Sequence, residues 1–325
     1  MKSAQFEQTG LPSEVLKVKE IPVPEPGQGE IRIQVSACNI NPSDLMFIRG
    51  LYGIRPELPS GAGFEASGVI DKCGEGVSLQ EGIRVIFSAV GVWQEYVLVS
   101  AKTVIPTPEG MPDEVACQAF INPFTAYAML EESGLKKGQW LLITAGGSAF
   151  GQFVIQLGKK KGINVVCTVR RDSHTEALLE LGATVVINTD KESLYRGVMK
   201  LTDRNGFDYI FDAVGGEPGA RALECLAKNG TMLVFGSLSL ENIPLNSGLM
   251  LFRNLTVKGF WLSVWLSSLS KEARIKVTSE VLGMLASGDL KVSIEARYPL
   301  EDVVKAVKHA DSSGRKGKVI LDLNL

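Results

Sequence analysis

The rhythm of apolar and polar positions changes near residue 113. Before it, the segments LKVKEIPVPEP, EIRIQVSACNI, GFEASGVIDKCG, IRVIFSAV and WQEYVLVS place β-branched and aromatic residues between Gly and Pro punctuation. That is the pattern of short strands, and PVPEPGQGE reads as a loop. No helical run follows these strands, so no parallel sheet is implied there. The stretch PDEVACQAFINPFTAYAMLEESG has an acidic start, apolar residues at helical spacing and a terminal glycine, Gly134, which predicts a helix. From residue 138 onward, WLLIT, NVVCTV, TVVIN, YIFDAV and GTMLVFG alternate with the helical stretches GQFVIQLGKKKG, HTEALLELGA and ARALECLAKNG. Short apolar runs of this kind suit a sheet buried on both faces. The alternation predicts a doubly wound parallel-sheet α/β domain. Later, a helix is predicted over Lys271–Ala286, and KVILDLNL reads as a strand.

Composition narrows the classes. At about 150 residues per domain, 325 residues suggest two domains. With 45% hydrophobic and 22% charged residues, a disordered or fibrous chain is excluded. Lys plus Arg total 34 and Asp plus Glu total 36, a net charge of −2, so the basic footprint of a nucleic-acid binder is missing. Cys38, Cys73, Cys117, Cys167 and Cys225 are odd in number and contain no C-x-x-C. They predict neither a disulfide framework nor a structural zinc site, and point to a reducing, cytoplasmic compartment. His174 and His309 read as solvated surface residues. The start, MKSAQFEQTGLPSEVLKV, lacks the apolar core of a signal peptide and the Arg-rich character of a transit peptide. WLLITAGGSAFGQFVIQLG is long enough to mimic a membrane span. Its Ala-Gly-Gly-Ser centre reads instead as a strand-to-helix turn, and no membrane partner is expected.

That turn is the first candidate site. The strand ending at Thr144 is followed by Gly146-Gly147-Ser148-Ala149-Phe150-Gly151 and then a helix. Gly146 and Gly151 match a dinucleotide-binding G-x-G-x-x-G, with Ser148 at the second glycine. Backbone amides at such a helix start can hold a pyrophosphate. About 20 residues on, where NAD sites carry an acidic residue, stand Arg170 and Arg171, then Asp172. Two guanidiniums there favour a 2′-phosphate and therefore NADPH, while Asp172 leaves a ribose hydroxyl contact open.

Together these residues resemble the zinc-independent branch of the medium-chain dehydrogenase/reductase superfamily, over nearly the whole chain. In the zinc alcohol dehydrogenases of that superfamily, segments like G-I-C-H-S-D and G-H-E supply a cysteine and a histidine to zinc. Here the matching segments are Asn39-Ile40-Asn41-Pro42-Ser43-Asp44 and Gly63-Phe64-Glu65, and neither Asn41 nor Phe64 replaces a thiolate or imidazole. The lobe that binds structural zinc is also missing, so no metal is expected. NPSDLMFIRGLYGIRPELP, INPFTAYAML, VRRD, FRNLTVKGFWLSVW and GKVIL are similar to mitochondrial-type 2-enoyl thioester reductases. The Gly-rich turn and GKVIL are shared with quinone reductases.

The resemblance implies a GroES-like β-barrel catalytic domain at 1–120 plus 264–325, a Rossmann NADP(H)-binding domain at 121–263, and a homodimer. It implies catalytic positions at Tyr52, Asn41 and Thr125, with Tyr52 the proton donor. It implies cofactor contacts at Asn122, Gly147, Ser148, Ala149, Phe150, Arg170, Arg171, Phe235, Gly236, Ser237, Leu238, Phe260, Trp261, Leu262 and Lys318, the last near the cofactor phosphates. Trp261 and Trp265 fit an acyl pocket or a dimer interface equally. Arg49 and Arg55 read as solvated, with phosphates of coenzyme A or a carrier arm as the alternative. The family's usual glycine at position 149 is Ala149 here. The implied activity is NADPH-dependent reduction of activated C=C bonds in enoyl thioesters. NADPH:quinone oxidoreduction and a non-catalytic NADPH-binding sensor are the alternatives.

Overall fold

The computed structural model describes residues 1–325 and comprises two compact units, 1–121 with 282–325, and 122–281. The chain therefore leaves the second unit later than the expected residue 264. That position lies inside the helix Leu262–Ser268, and the crossing falls instead within the helix Lys271–Ala286. No helix is long and apolar enough to cross a membrane.

The first unit is built on a mostly antiparallel sheet. Its strands run in the order Ile294–Tyr298, Lys318–Asp322, Glu30–Asn39, Glu65–Cys73, Arg84–Ser88 and Ile105–Pro106, and Tyr96–Ser100 also pairs with Glu30–Asn39. The strand Glu30–Asn39 alternates buried and part-exposed residues at first and is buried throughout at its end. That end carries Asn39, with no exposed surface. A polar side chain so enclosed has to find hydrogen-bond partners. The core around it is aromatic: Phe6, Phe47, Phe64 and Trp93 are all buried.

In the second unit six parallel strands lie in the order Val185–Asn188, Asn164–Val169, Trp140–Ile143, Phe207–Asp212, Leu226–Val234 and Thr256–Gly259. Numbered along the chain this is 3-2-1-4-5-6, the doubly wound order, and ligands bind such sheets beyond the carboxyl ends of the strands where the order reverses. Here the reversal lies between Trp140–Ile143 and Phe207–Asp212.

Two elements differ from the sequence pattern. The helix expected through residue 134 is split into Asp113–Ala116 and Ile121–Ser133. Pro123 explains the break: it has no N–H to donate and its ring clashes with the carbonyl four residues earlier, so it is tolerated only in a first turn. The helix expected across ARALECLAKNG occupies Gly216–Leu223, and Leu226 already opens a strand, paired with Phe207. A short apolar run such as LECLA fits either element by periodicity.

Candidate functional site

The Gly-rich turn leaves the strand Trp140–Ile143 through Ala145, whose φ of 52° is left-handed. Gly146 then donates its amide to the Thr168 carbonyl at 2.9 Å. A Cβ on Gly146 would lie 2.4 Å from the Cys167 Cβ, and one on Gly151 would lie 2.5 Å from the Gly146 carbonyl oxygen. Those two glycines let helix and strand approach. Gly147 differs: the nearest atoms to a Cβ there would be those of the His174 ring, at 3.4 Å or more. It is the open position of the turn. Ser148 is the N-cap of the helix Ala149–Lys161, its hydroxyl accepting from the Gly151 amide at 3.1 Å. The serine at the second-glycine position is thus a cap. The amides of Ala149 and Phe150 lie in the first turn, where a helix has no acceptor of its own and its dipole favours an anion.

The neighbouring strand ends complete this face. Asp212 is buried, and its carboxylate accepts from the Thr144 hydroxyl at 2.7 Å, from the Val214 amide at 3.1 Å and from the Gly215 amide at 2.9 Å. This network locks together the two strand ends at the reversal point. Sequence reasoning missed it, although a lone acid ending the apolar run YIFD was its signal. Phe235 donates its amide to the Asp212 carbonyl, Leu238 donates to that of Ala213, and Gly236 and Ser237 lie between them. The Phe150 and Phe235 rings are 4.0 Å apart, so two expected cofactor positions meet. Phe260 donates to the Val234 carbonyl at 2.8 Å. Trp261 is 42% exposed and Leu262 is buried. Asn122 and Thr125 sit three residues apart in the first turn of the helix Ile121–Ser133, a spacing that puts them on one face.

Arg170 and Arg171 follow the strand Asn164–Val169, and both are exposed. Asp172 is held by the Asn188 side-chain amide at 2.5 Å and by an ion pair with Lys191. Lys191 and then Asn188 keep its carboxyl below the usual range. The acid that complicated the choice of cofactor is therefore occupied. Both histidines are half-buried rather than solvated: His174 packs beside Gly147, and His309 Nδ1 lies 3.0 Å from the Tyr298 hydroxyl. Arg49 is paired with Asp311 at 2.5 Å, while Arg55 is exposed.

The first unit contributes a buried polar cluster. Asn41 is 2% exposed and caps the helix Pro42–Ile48, its amide donating to the Asp44 carboxylate at 2.6 Å. Its side-chain nitrogen donates to Asn39 at 2.9 Å and to Glu65 Oε1 at 2.8 Å, and its side-chain oxygen accepts from the Lys318 ammonium. Asn39 also donates to Glu65 Oε1, at 2.6 Å, and the Ile121 amide donates to Glu65 Oε2 at 2.8 Å. Lys318 Nζ further donates to the Ile40 carbonyl at 3.3 Å. Burial pushes the Asp44 and Glu65 carboxyls up and the Lys318 ammonium down, and the opposite charges pull each back.

This placement bears on two expectations. Asn41 is an enclosed cap whose side chain is committed to protein partners. Lys318 is enclosed with carboxylates, and a phosphate contact would require it to leave them. Tyr52 stands on the segment after the capped helix, with its ring 5.2 Å from that of Phe64. Phe64 in turn packs edge-on to Phe47 at 5.1 Å. A phenyl ring has no lone pair for a metal, and no group of three or more His, Cys, Asp and Glu that could hold an ion occurs.

Comparison with known proteins agrees in scope. A family model described as "Zinc-binding dehydrogenase" matches residues 149–275, and one described as "Alcohol dehydrogenase GroES-like domain" matches residues 27–109. The mitochondrial enoyl-[acyl-carrier-protein] reductase of Caenorhabditis elegans is 31% identical over 92% of this chain and 88% of its own length. Quinone oxidoreductase 1 of Escherichia coli K12 is 29% identical, over 98% of each chain. The crystal structure of an Escherichia coli quinone oxidoreductase complexed with NADPH superposes with a TM-score of 0.92 at 28% identity, covering 99% of this chain and 100% of that one.

Proposed function

The chain belongs to the medium-chain dehydrogenase/reductase family and is an NADPH-dependent oxidoreductase, and on that premise we propose that it reduces activated C=C bonds of trans-2-enoyl thioesters. The acyl group would be carried on coenzyme A or on acyl carrier protein. The observation that carries this reading is Tyr52, a phenol seated on Phe64 where a zinc enzyme of the family has its histidine ligand. The same replacement supports chemistry without zinc.

The residues fit the cofactor. Gly147 would leave room for a pyrophosphate, the amides of Ala149 and Phe150 would donate to it, and the exposed Arg170 and Arg171 would meet a 2′-phosphate. Asn122 and Thr125 would hold the nicotinamide carboxamide and select one ring face. Bound NADPH supplies the hydride. As the enoyl β-carbon takes it up, negative charge develops on the thioester oxygen. The Tyr52 hydroxyl stabilises that charge, gives its proton to the α-carbon and is reprotonated from water. A phenol with a reference pKa of about 10 is neutral at pH 7 and able to donate.

The test is turnover of a medium-chain trans-2-enoyl-CoA and of a naphthoquinone by wild type and Tyr52→Phe. The variant keeps the ring on Phe64 and removes only the hydroxyl. Loss of general-acid assistance predicts a fall of roughly 10²–10⁴-fold in enoyl reduction. Quinone reduction alone, indifferent to the hydroxyl, would instead establish the quinone reductase reading, which the likeness to the Escherichia coli enzyme supports.

A homodimer is supported by the second unit. Thr256–Gly259 is an edge strand of its sheet, and Leu251, Phe252 and Val264 nearby in sequence are 72%, 81% and 63% exposed. An unpaired edge with apolar neighbours is suited to pairing with a second copy. The five free cysteines fit a reducing compartment, proposed here as the cytoplasm.

A further inference from the structure

Lys318 opens the strand Lys318–Asp322 in the main sheet of the first unit and is 4% exposed. A lysine is almost never so enclosed unless its ammonium is paired. Its partners here are the side-chain oxygen of Asn41 and the carbonyl of Ile40, with the carboxylates of Glu65 and Asp44 as the charges that offset it.

This arrangement decides which way the Asn41 amide faces. An ammonium has three donors and no acceptor, so it accepts only the oxygen end of the amide as neighbour. The nitrogen end is thereby turned toward Asn39 and Glu65 Oε1. Glu65, fixed on one oxygen by two amides, presents the other to the Ile121 amide. Each link leads along the chain to a segment that bears an expected site residue. Asn41 caps the helix that precedes Tyr52, and Ile121 opens the helix that carries Asn122 and Thr125.

We propose that Lys318 is a positioning residue, an internal cation that orients Asn41 and Glu65 and through them the segments bearing Tyr52, Asn122 and Thr125. It acts without touching cofactor or substrate. The part of the proposal that concerns turnover rests on the enoyl reductase reading.

The test compares Lys318→Met, Glu65→Gln and the double variant. It measures thermal midpoint, NADPH affinity by fluorescence titration, and kcat and KM with whichever acceptor wild type reduces. A positioning role predicts that Lys318→Met lowers kcat by roughly 10–100-fold, the scale of a misplaced reacting group, and weakens NADPH affinity by much less. It also predicts that adding Glu65→Gln to Lys318→Met raises the thermal midpoint, because the uncompensated carboxylate is gone. If Lys318→Met does not fold, recovery of a folded double variant supports the proposal, and failure to recover overturns it. A weakened NADPH affinity with kcat preserved overturns it in favour of a phosphate contact. Strictly additive losses of stability overturn it as well. Should no acceptor be reduced by wild type, the enoyl reading fails, while the stability and affinity measurements still decide the counter-ion role.

Discussion

Two glycines of one turn should fail in opposite ways when replaced by alanine. At Gly151 the added Cβ would stand 2.5 Å from the Gly146 carbonyl oxygen and 2.9 Å from its carbonyl carbon. Those are backbone atoms, pinned in turn by the bond from the Gly146 amide to Thr168, so neither side can rotate away. Forcing a methyl group into such a contact costs about 1–3 kcal/mol. At about 2–4 °C per kcal/mol for a chain of 150–250 residues, that lowers the thermal midpoint by about 2–12 °C, and less in a longer chain. At Gly147 the new Cβ would sit 3.4 Å from the His174 ring, an ordinary contact. The folded protein should tolerate it with a change within about 0.5 kcal/mol. That methyl group, however, would occupy the space in which a pyrophosphate approaches the helix amides. Differential scanning fluorimetry with and without NADPH separates the two effects. Gly151→Ala should melt early, whereas Gly147→Ala should melt like wild type and lose most of the stabilisation by NADPH. A wild-type midpoint for Gly151→Ala would refute the packing argument. Full NADPH stabilisation of Gly147→Ala would refute the placement of the pyrophosphate.

Three further outcomes are expected. Arg170→Ala should raise KM for NADPH by about 10–150-fold, the equivalent of a charge-assisted hydrogen bond of roughly 1.5–3 kcal/mol, and leave KM for NADH nearly unchanged. Equal shifts for both cofactors would remove Arg170 from the 2′-phosphate. Burial pushes the Cys167 and Cys225 thiols up to about 12, so at pH 8 only about one in 10⁴ is a thiolate. A thiol reagent should therefore modify the native protein at the half-buried Cys73 first, and fast reaction at Cys167 would contradict its enclosure. Phe252→Asp should shift the protein from dimer to monomer in light scattering, and an unchanged dimer would place the interface elsewhere.

The legible part of the molecule was the part encoded by neighbours. Gly146 through Gly151 lie between a strand and a helix that each announce themselves within a dozen residues, and the strands of both units follow from local runs. The place of Arg170 and Arg171 just after a strand was readable for the same reason. What escaped was decided by distant partners. Asp172 could not be assigned until Asn188 and Lys191 were seen to hold it. The Lys318 contact with Asn41 spans 277 positions, and that of Asn41 with Glu65 spans 24. Nothing in GKVIL says that its lysine points inward, and the family resemblance assigned it to the phosphates. Asn41 was legible as a residue that differs from a cysteine ligand, but only its bonds show it to be a cap. The break before Ile121 was foreseeable from Pro123, and the early strand at Leu226 was not, because its apolar residues fit both periodicities.

The strand that carries Lys318 lies between Ile294–Tyr298 and Glu30–Asn39 in the sheet, although 318 − 39 = 279 positions separate it from Asn39. A ribosome adding about 5–20 residues per second takes about 14–56 s to cover that distance. Throughout the interval the emerging first unit has an unpaired edge at Ala37–Asn39, since Glu30–Gln34 is already paired with Tyr96–Ser100, and Glu65 has no ammonium to face. The inserted unit, whose six strands are consecutive, can be complete before its host is. During synthesis the β-rich unit is therefore the vulnerable partner, with an open edge of the kind that invites pairing with other chains. Its closure waits for the strand Lys318–Asp322.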